Sequence, residues 1–115
     1  MIRMQISLEA VNHATDRHGT FVSLSVIYKT QQFMRSLPPE LPAPSVVVES
    51  EEEIGLDWDE AADRILSLTI DSSDRIGYSA LIGREPIHGR VDYTHGLPET
   101  LQCILARLYP STRLP

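Results

Sequence analysis

The chain has 115 residues, of which 42% are hydrophobic and 23% are charged, and its formal net charge is −6. This length and composition predict one domain over residues 1–115 and exclude a largely disordered chain. No apolar run approaches the roughly 18 residues of a membrane-spanning helix, and residues 1–6 do not resemble a secretory signal. The single cysteine fits a reducing compartment, so we expect a cytoplasmic protein that does not bind membranes.

The first 22 residues are weakly patterned. Ser7 is a suitable N-cap for a short helix over residues 8–13. A clearer helix is predicted at about residues 25–37, with Ser23 or Ser25 as its N-cap. Its apolar positions follow a helical spacing and form one stripe, namely Val26, Ile27, Thr30, Phe33, Met34 and Leu37. The prolines that follow end this helix and keep the next segment extended.

After Pro44 the apolar residues recur at every second position, which is the period of a β-strand. Short turn-like connections separate the strands, so the pairing has to be antiparallel. The pattern therefore predicts a five-stranded meander sheet over about residues 46–93. Within it, residues 59–63 fit either a turn or a single helical turn, because Asp59 caps well and Ala61 and Ala62 favour helix.

A second helix is predicted at about residues 98–109, with Pro98 at its first position and Pro110 at its end. Leu101, Ile104, Leu105 and Leu108 form its apolar stripe. Two such helices and a one-sided sheet bury their apolar sides against each other. We therefore predict an α+β domain with both helices packed on one face of the sheet and the other face open.

The acidic residues are concentrated in residues 49–63, a segment without Lys or Arg. Together with a pI near 5.1, this argues against direct nucleic-acid binding and favours a protein partner with a basic surface. The alternative is a solvated acidic turn that protects the sheet from aggregation. The candidate partner-binding residues are Glu49, Glu51, Glu52, Glu53, Asp57, Asp59, Glu60 and Asp63.

The alternation also predicts the side chains on the open face, which are Asp57, Ser67, Thr69, Ser79, His88, Arg90 and Asp92. His88, Arg90 and Asp92 would form a row about 13–14 Å long on one strand. A histidine beside a carboxylate can act as a general base, and an arginine can hold an anion. The alternative interpretation is an ordinary polar sheet face on which Arg90 bridges acids of neighbouring strands.

No cofactor motif is present, and the histidines lack the spacing of metal ligands, so we expect no cofactor and no metal. Trp58 is predicted to lie in the core. Cys103 is predicted to be a small buried hydrophobic residue. Gly83 and Gly89 are interpreted as a turn and a bulge.

Residues 37–78 resemble a type of small, mostly uncharacterised bacterial protein that is often associated with mobile elements. The shared features are a helix ending in Leu-Pro-Pro, then Pro42-Ala43-Pro44-Ser45-Val46, an acidic turn, and Glu53-Ile54-Gly55-Leu56-Asp57-Trp58 followed by a strand. This resemblance covers roughly a third of the chain and rests on structural motifs. It implies a fold and a genomic neighbourhood, and it carries over no catalytic residue.

The sequence is compatible with three functions and favours a non-enzymatic role. The first is an acidic binding protein that inhibits a basic, nucleic-acid-handling protein, of the anti-defence or anti-CRISPR type. The second is an antitoxin or immunity-type protein that neutralises a toxin through the open face or an edge strand. The third is a small enzyme or toxin that uses His88, Arg90 and Asp92. A homodimer is compatible with all three.

Overall fold

In the computed structural model, residues 22–110 are described. The short helix predicted after Ser7 lies outside this range. The described chain contains, in order, α1 (Leu24–Arg35), β1 (Ser45–Ser50), β2 (Glu53–Ala61), β3 (Arg64–Asp71), β4 (Arg75–Ile82), β5 (Glu85–Asp92) and α2 (Glu99–Leu108). All neighbouring strands pair antiparallel in the order β1-β2-β3-β4-β5. The predicted α+β meander is therefore confirmed.

The core lies between the two helices and one face of the sheet. The ladder places Leu56 beside Leu68 and Trp58 beside Leu66, so their side chains share that face. The predicted apolar stripe of α2 is buried, as is that of α1 apart from the partly buried Ile27. Trp58 is 2% exposed, as predicted, and its indole N–H donates to the Pro42 carbonyl at 2.9 Å.

Both helices are shorter than predicted. Helix α1 ends at Arg35, because the Ser36 and Leu37 amides bond the Phe33 and Met34 carbonyls in a tighter turn. Leu37 also precedes a proline, which disfavours helical backbone. In α2, Pro98 occupies the N-cap with extended backbone, and the first helical residue is Glu99.

Three local predictions about the chain are wrong. Strand β2 continues through Ala61, so residues 59–61 form neither the predicted turn nor the alternative helical turn, and the turn is confined to residues 62–63. Gly89 lies at a regular ladder position opposite Tyr78, whose ring covers it; the irregular pairings instead fall between Val48 and Ser50 and between Asp59 and Ala61. Cys103 is exposed, because its position on α2 points away from the apolar stripe.

Hydrogen bonds connect helix α1 to the turns at one end of the sheet. The Ser23 amide donates to the Glu51 carbonyl in the β1–β2 turn at 2.7 Å. The Lys29 ammonium donates to the carbonyls of Asp71, Ser73 and Arg75 around the β3–β4 turn. Burial lowers the pKa of Lys29, with Arg90 adding to this effect, while the charges of Asp71 and Asp74 oppose it. These bonds fix the hairpin turns relative to the core.

Candidate acidic interface

The open face of β2 carries a line of carboxylates. Glu53, Asp57 and Asp59 alternate with the buried Ile54, Leu56 and Trp58, so they project from the face opposite the helices. At the rise of a β-strand, the line from Glu53 to Asp59 is about 20 Å long. A strand in the middle of a hydrogen-bonded ladder holds these groups at regular intervals.

Glu49 fills the one gap in this line. Position 55 also faces the open side but is a glycine, and the Glu49 side chain folds across it. The Glu49 Oε2 atom lies 2.9 Å from where a Cβ atom on Gly55 would stand, so any larger residue would displace the carboxylate. A glycine within a strand often marks such a close approach. We name Glu49, Glu53, Asp57 and Asp59 the acidic stripe.

The other four predicted binding residues lie apart from the stripe. Glu51 and Glu52 form the β1–β2 turn at one end of β2, and Asp63 lies in the β2–β3 turn at the opposite end. Glu60 interacts with Tyr109 after α2, on the helix side of the sheet. Burial, followed by the charge of Glu60 and a hydrogen bond with it, raises the pKa of Tyr109 to about 12 against the opposing effect of Arg64. The eight acids therefore do not form one continuous patch.

The charge of the stripe is not neutralised within residues 22–110. The ion pairs in this part of the chain join Arg75 to Asp92, Arg90 to Asp71, and Arg107 to Glu85, and none involves a stripe residue. The ladder neighbours of Asp57 are Ser45 and Ser67, which are small and uncharged. The neighbours on either side therefore leave the Asp57 carboxylate accessible to a basic partner.

The alternative site on β5 is largely occupied by internal contacts. Arg90 bonds the Ser73 hydroxyl at 3.2 Å and lies 3.7 Å from Asp71, while Asp92 lies 3.3 Å from Arg75. His88 stands opposite Ser79 on β4, and the sequence of β5 alone does not predict this neighbour. No hydrogen bond joins these two side chains, so the described residues show no activated nucleophile at this position.

Asp71 takes part in the same turn network. Burial raises its pKa, but hydrogen bonds from the Ser73 side chain and amide outweigh this effect, helped by the charges of Lys29 and Arg90. The net result is a lowered pKa. Arg90 and Asp71 therefore act together to stabilise the β3–β4 turn, while the Arg90 side chain is 52% exposed.

Two features that bear on function are missing from residues 22–110. No group of three or more His, Cys, Asp or Glu side chains within residues 22–110 is arranged to hold a metal ion. Neither helix in this range has the length and apolar character needed to cross a membrane. In comparisons with known proteins, no family model, curated protein or solved structure matches the chain.

Proposed function

We propose that this chain is a non-enzymatic binding protein whose acidic stripe docks on the basic surface of a nucleic-acid-handling protein and inhibits it. The observation that carries the proposal is the line of carboxylates along β2, completed by Glu49 across Gly55 and not ion-paired with any residue in the range 22–110. A duplex backbone also presents regularly spaced negative charge, so a groove lined with Lys and Arg for phosphates would attract such a line.

In this proposal the chain itself does not bind nucleic acid, because its net negative charge is repelled by the negative phosphates. The setting in a mobile element, with an anti-defence or anti-CRISPR role, extends the proposal and rests on the resemblance of residues 37–78. The hydrogen-bonded ladder beneath the stripe supports docking, since it sets the spacing of the carboxylates before a partner binds.

The test uses two variants with the same change in net charge. The stripe variant replaces the four stripe carboxylates with amides. The matched control replaces four exposed acids elsewhere with amides. The stripe variant is Glu49→Gln, Glu53→Gln, Asp57→Asn and Asp59→Asn, and the control is Glu40→Gln, Asp74→Asn, Glu85→Gln and Glu99→Gln.

Proteins captured from a nuclease-treated bacterial lysate by the wild-type chain are purified and assayed for DNA or RNA binding. We expect the wild type and the control to displace nucleic acid from the captured protein and the stripe variant to lose this effect. Equal competition by the stripe variant would overturn the proposal. If the partner stayed bound to both variants at high salt, the result would favour the alternative function, an antitoxin-type protein.

A further inference from the structure

Tyr93 packs against helix α1 with its hydroxyl group buried. Only 5% of the residue is exposed, and the hydroxyl oxygen has no hydrogen-bond partner within residues 22–110. The ring lies edge-on to Phe33 of α1, with the centroids 5.8 Å apart and the ring planes at 68°. A buried hydroxyl without a partner costs free energy, and contact with water recovers that cost. An opening of α1 that hydrates Tyr93 is therefore less costly than the loss of apolar burial alone would make it.

Helix α1 also has little local support at its N-terminal end. Its N-cap residue, Ser23, forms no side-chain bond with the first helical amides, and the first turn contains no acidic residue. The Thr30 side chain is fully buried, but its hydroxyl donates to the Val26 carbonyl of α1 itself, at 2.8 Å. This bond does not connect α1 to the sheet, and bonds of this kind slightly destabilise a helix.

Helix α2 is supported at both ends. Glu99 places a negative charge in its first turn, where the helix dipole favours one. The Gln102 side chain donates to the Leu97 carbonyl before the helix at 2.8 Å. At the other end, Arg64 of β3 donates to the Leu108 carbonyl at 3.3 Å. The two helices therefore differ in how firmly they are held, and α1 is the weaker one.

Lys29 is the side chain that connects the middle of α1 to the sheet. Its ammonium group donates to the carbonyls of Asp71, Ser73 and Arg75 around the β3–β4 turn. The ammonium nitrogen also lies 5.9 Å from the centre of the Tyr93 ring. Lys29 is the only lysine in the sequence. The reactivity of its amine can therefore report on this contact without interference from other lysines.

We propose that α1 is a lid that opens by local unfolding while the sheet and α2 stay folded, and that Lys29 holds it closed. The chain on both sides of the helix stays anchored, because Val22 before it and Leu41 after it are buried. Opening hydrates the Tyr93 hydroxyl and uncovers the apolar side of β2 and β3, against which α1 packs. The lid lies on the opposite face of the sheet from the acidic stripe, so this proposal does not depend on the proposed function.

The rate at which Lys29 is acetylated measures the opening of the lid. The full chain is treated with N-hydroxysuccinimidyl acetate, and mass spectrometry of its peptides separates Lys29 from the terminal amine. Tyr93→Phe keeps the ring and removes the unpaired hydroxyl, so we expect it to slow the acetylation of Lys29 about tenfold. If the Lys29 side chain moved without the helix, Tyr93→Phe would leave the rate unchanged, and this result would overturn the proposal.

Hydrogen exchange separates local opening from global unfolding. In the wild type, we expect the amides of α1 to exchange faster than those of α2, and Tyr93→Phe should slow the α1 amides about tenfold. Ile104→Val removes a methyl group from the buried side of α2 and should speed exchange in α2 several-fold. Because the lid opens without α2, this variant should leave α1 exchange and Lys29 acetylation at wild-type rates. Equal acceleration of both helices would overturn the proposal.

Discussion

The Glu49 carboxylate lies across Gly55 on the open face of the sheet, with Oε2 2.9 Å from the point where a Cβ on Gly55 would stand. Glu49 comes from the irregular end of β1, and Gly55 lies within β2. Their contact completes a line of acids that neither strand carries alone. The proposed interface therefore depends on the glycine at position 55, because a larger side chain there would displace the Glu49 carboxylate.

Gly55→Ala should push Glu49 out of the line with little loss of stability. Alanine is favoured over glycine within a strand by about 0.5–1 kcal/mol, which offsets the displacement of a flexible side chain. We expect weaker partner binding with a free energy of unfolding within about 1 kcal/mol of wild type. The control is Gly77→Ala on the same face, where a Cβ would meet only Thr69 Cβ at an ordinary 3.7 Å. Equal binding by both variants would contradict the role of Glu49.

Trp58→Ala should destabilise the fold by about 3–5 kcal/mol, because the ring is buried and leaves a large cavity. Trp58→Phe retains much of the apolar contact but leaves the Pro42 carbonyl without its indole donor, which should cost about 1–3 kcal/mol. Denaturant unfolding measures both values. A loss below about 0.5 kcal/mol for Trp58→Ala would mean that the ring is not part of the core.

Lys29→Met should cost about 1–3 kcal/mol, because the ammonium bonds three carbonyls that hold the β3–β4 turn under α1. Methionine keeps a long apolar side chain but has no donor. Hydrogen exchange should show faster opening of residues 71–75 in this variant and little change in the β1–β2 turn. Uniform loosening of both turns, or none in residues 71–75, would contradict a local anchoring role.

Asp71 should contribute to stability in a pH-dependent way. Its pKa is lowered in the folded chain, so the stability from its ionised form is present above the ordinary value of 3.8 and is lost as pH falls through the lower folded value. The gap in unfolding free energy between wild type and Asp71→Asn should therefore shrink as pH falls below about 4. A gap that stays constant between pH 6 and strongly acidic conditions, roughly two units below the ordinary pKa, would contradict the assignment.

Asp74→Asn is the control for this measurement, because it lies in the same turn and its side chain forms no hydrogen bond in the described chain. We expect a smaller loss of stability from this change than from Asp71→Asn at neutral pH. An equal loss would mean that any carboxylate in the turn suffices to balance Lys29 and Arg90.

The periodicity of the sequence was sufficient to predict the fold. The spacing of Leu101, Ile104, Leu105 and Leu108 identifies the buried side of α2, and strict alternation around Trp58 identifies the inner face of β2. The exposure of single residues beside an apolar stripe was less predictable. Proximity to the apolar stripe suggested that Cys103 is buried, although its helical angle turns it outward.

The acidic site was only partly predictable. Acidic residues that are close in sequence lie on opposite faces of the sheet or in the turns at either end of β2. Alternation places Glu53, Asp57 and Asp59 together, but Glu60 falls on the helix side near Tyr109. The position of Glu49 depends on an irregular pairing between Val48 and Ser50, which sequence spacing does not reveal. The glycine at position 55 was the one local signal of a close approach.

The most direct test of the central claim is the salt dependence of binding to the captured partner, measured for the wild type, the stripe variant and the matched control from about 0.1 M to 1 M salt. The wild type and the control should weaken in parallel as salt rises, because both keep the line of carboxylates. The stripe variant should bind weakly throughout, with a nearly flat dependence. If the stripe variant kept the wild-type affinity and slope, the acidic stripe would not be the binding surface.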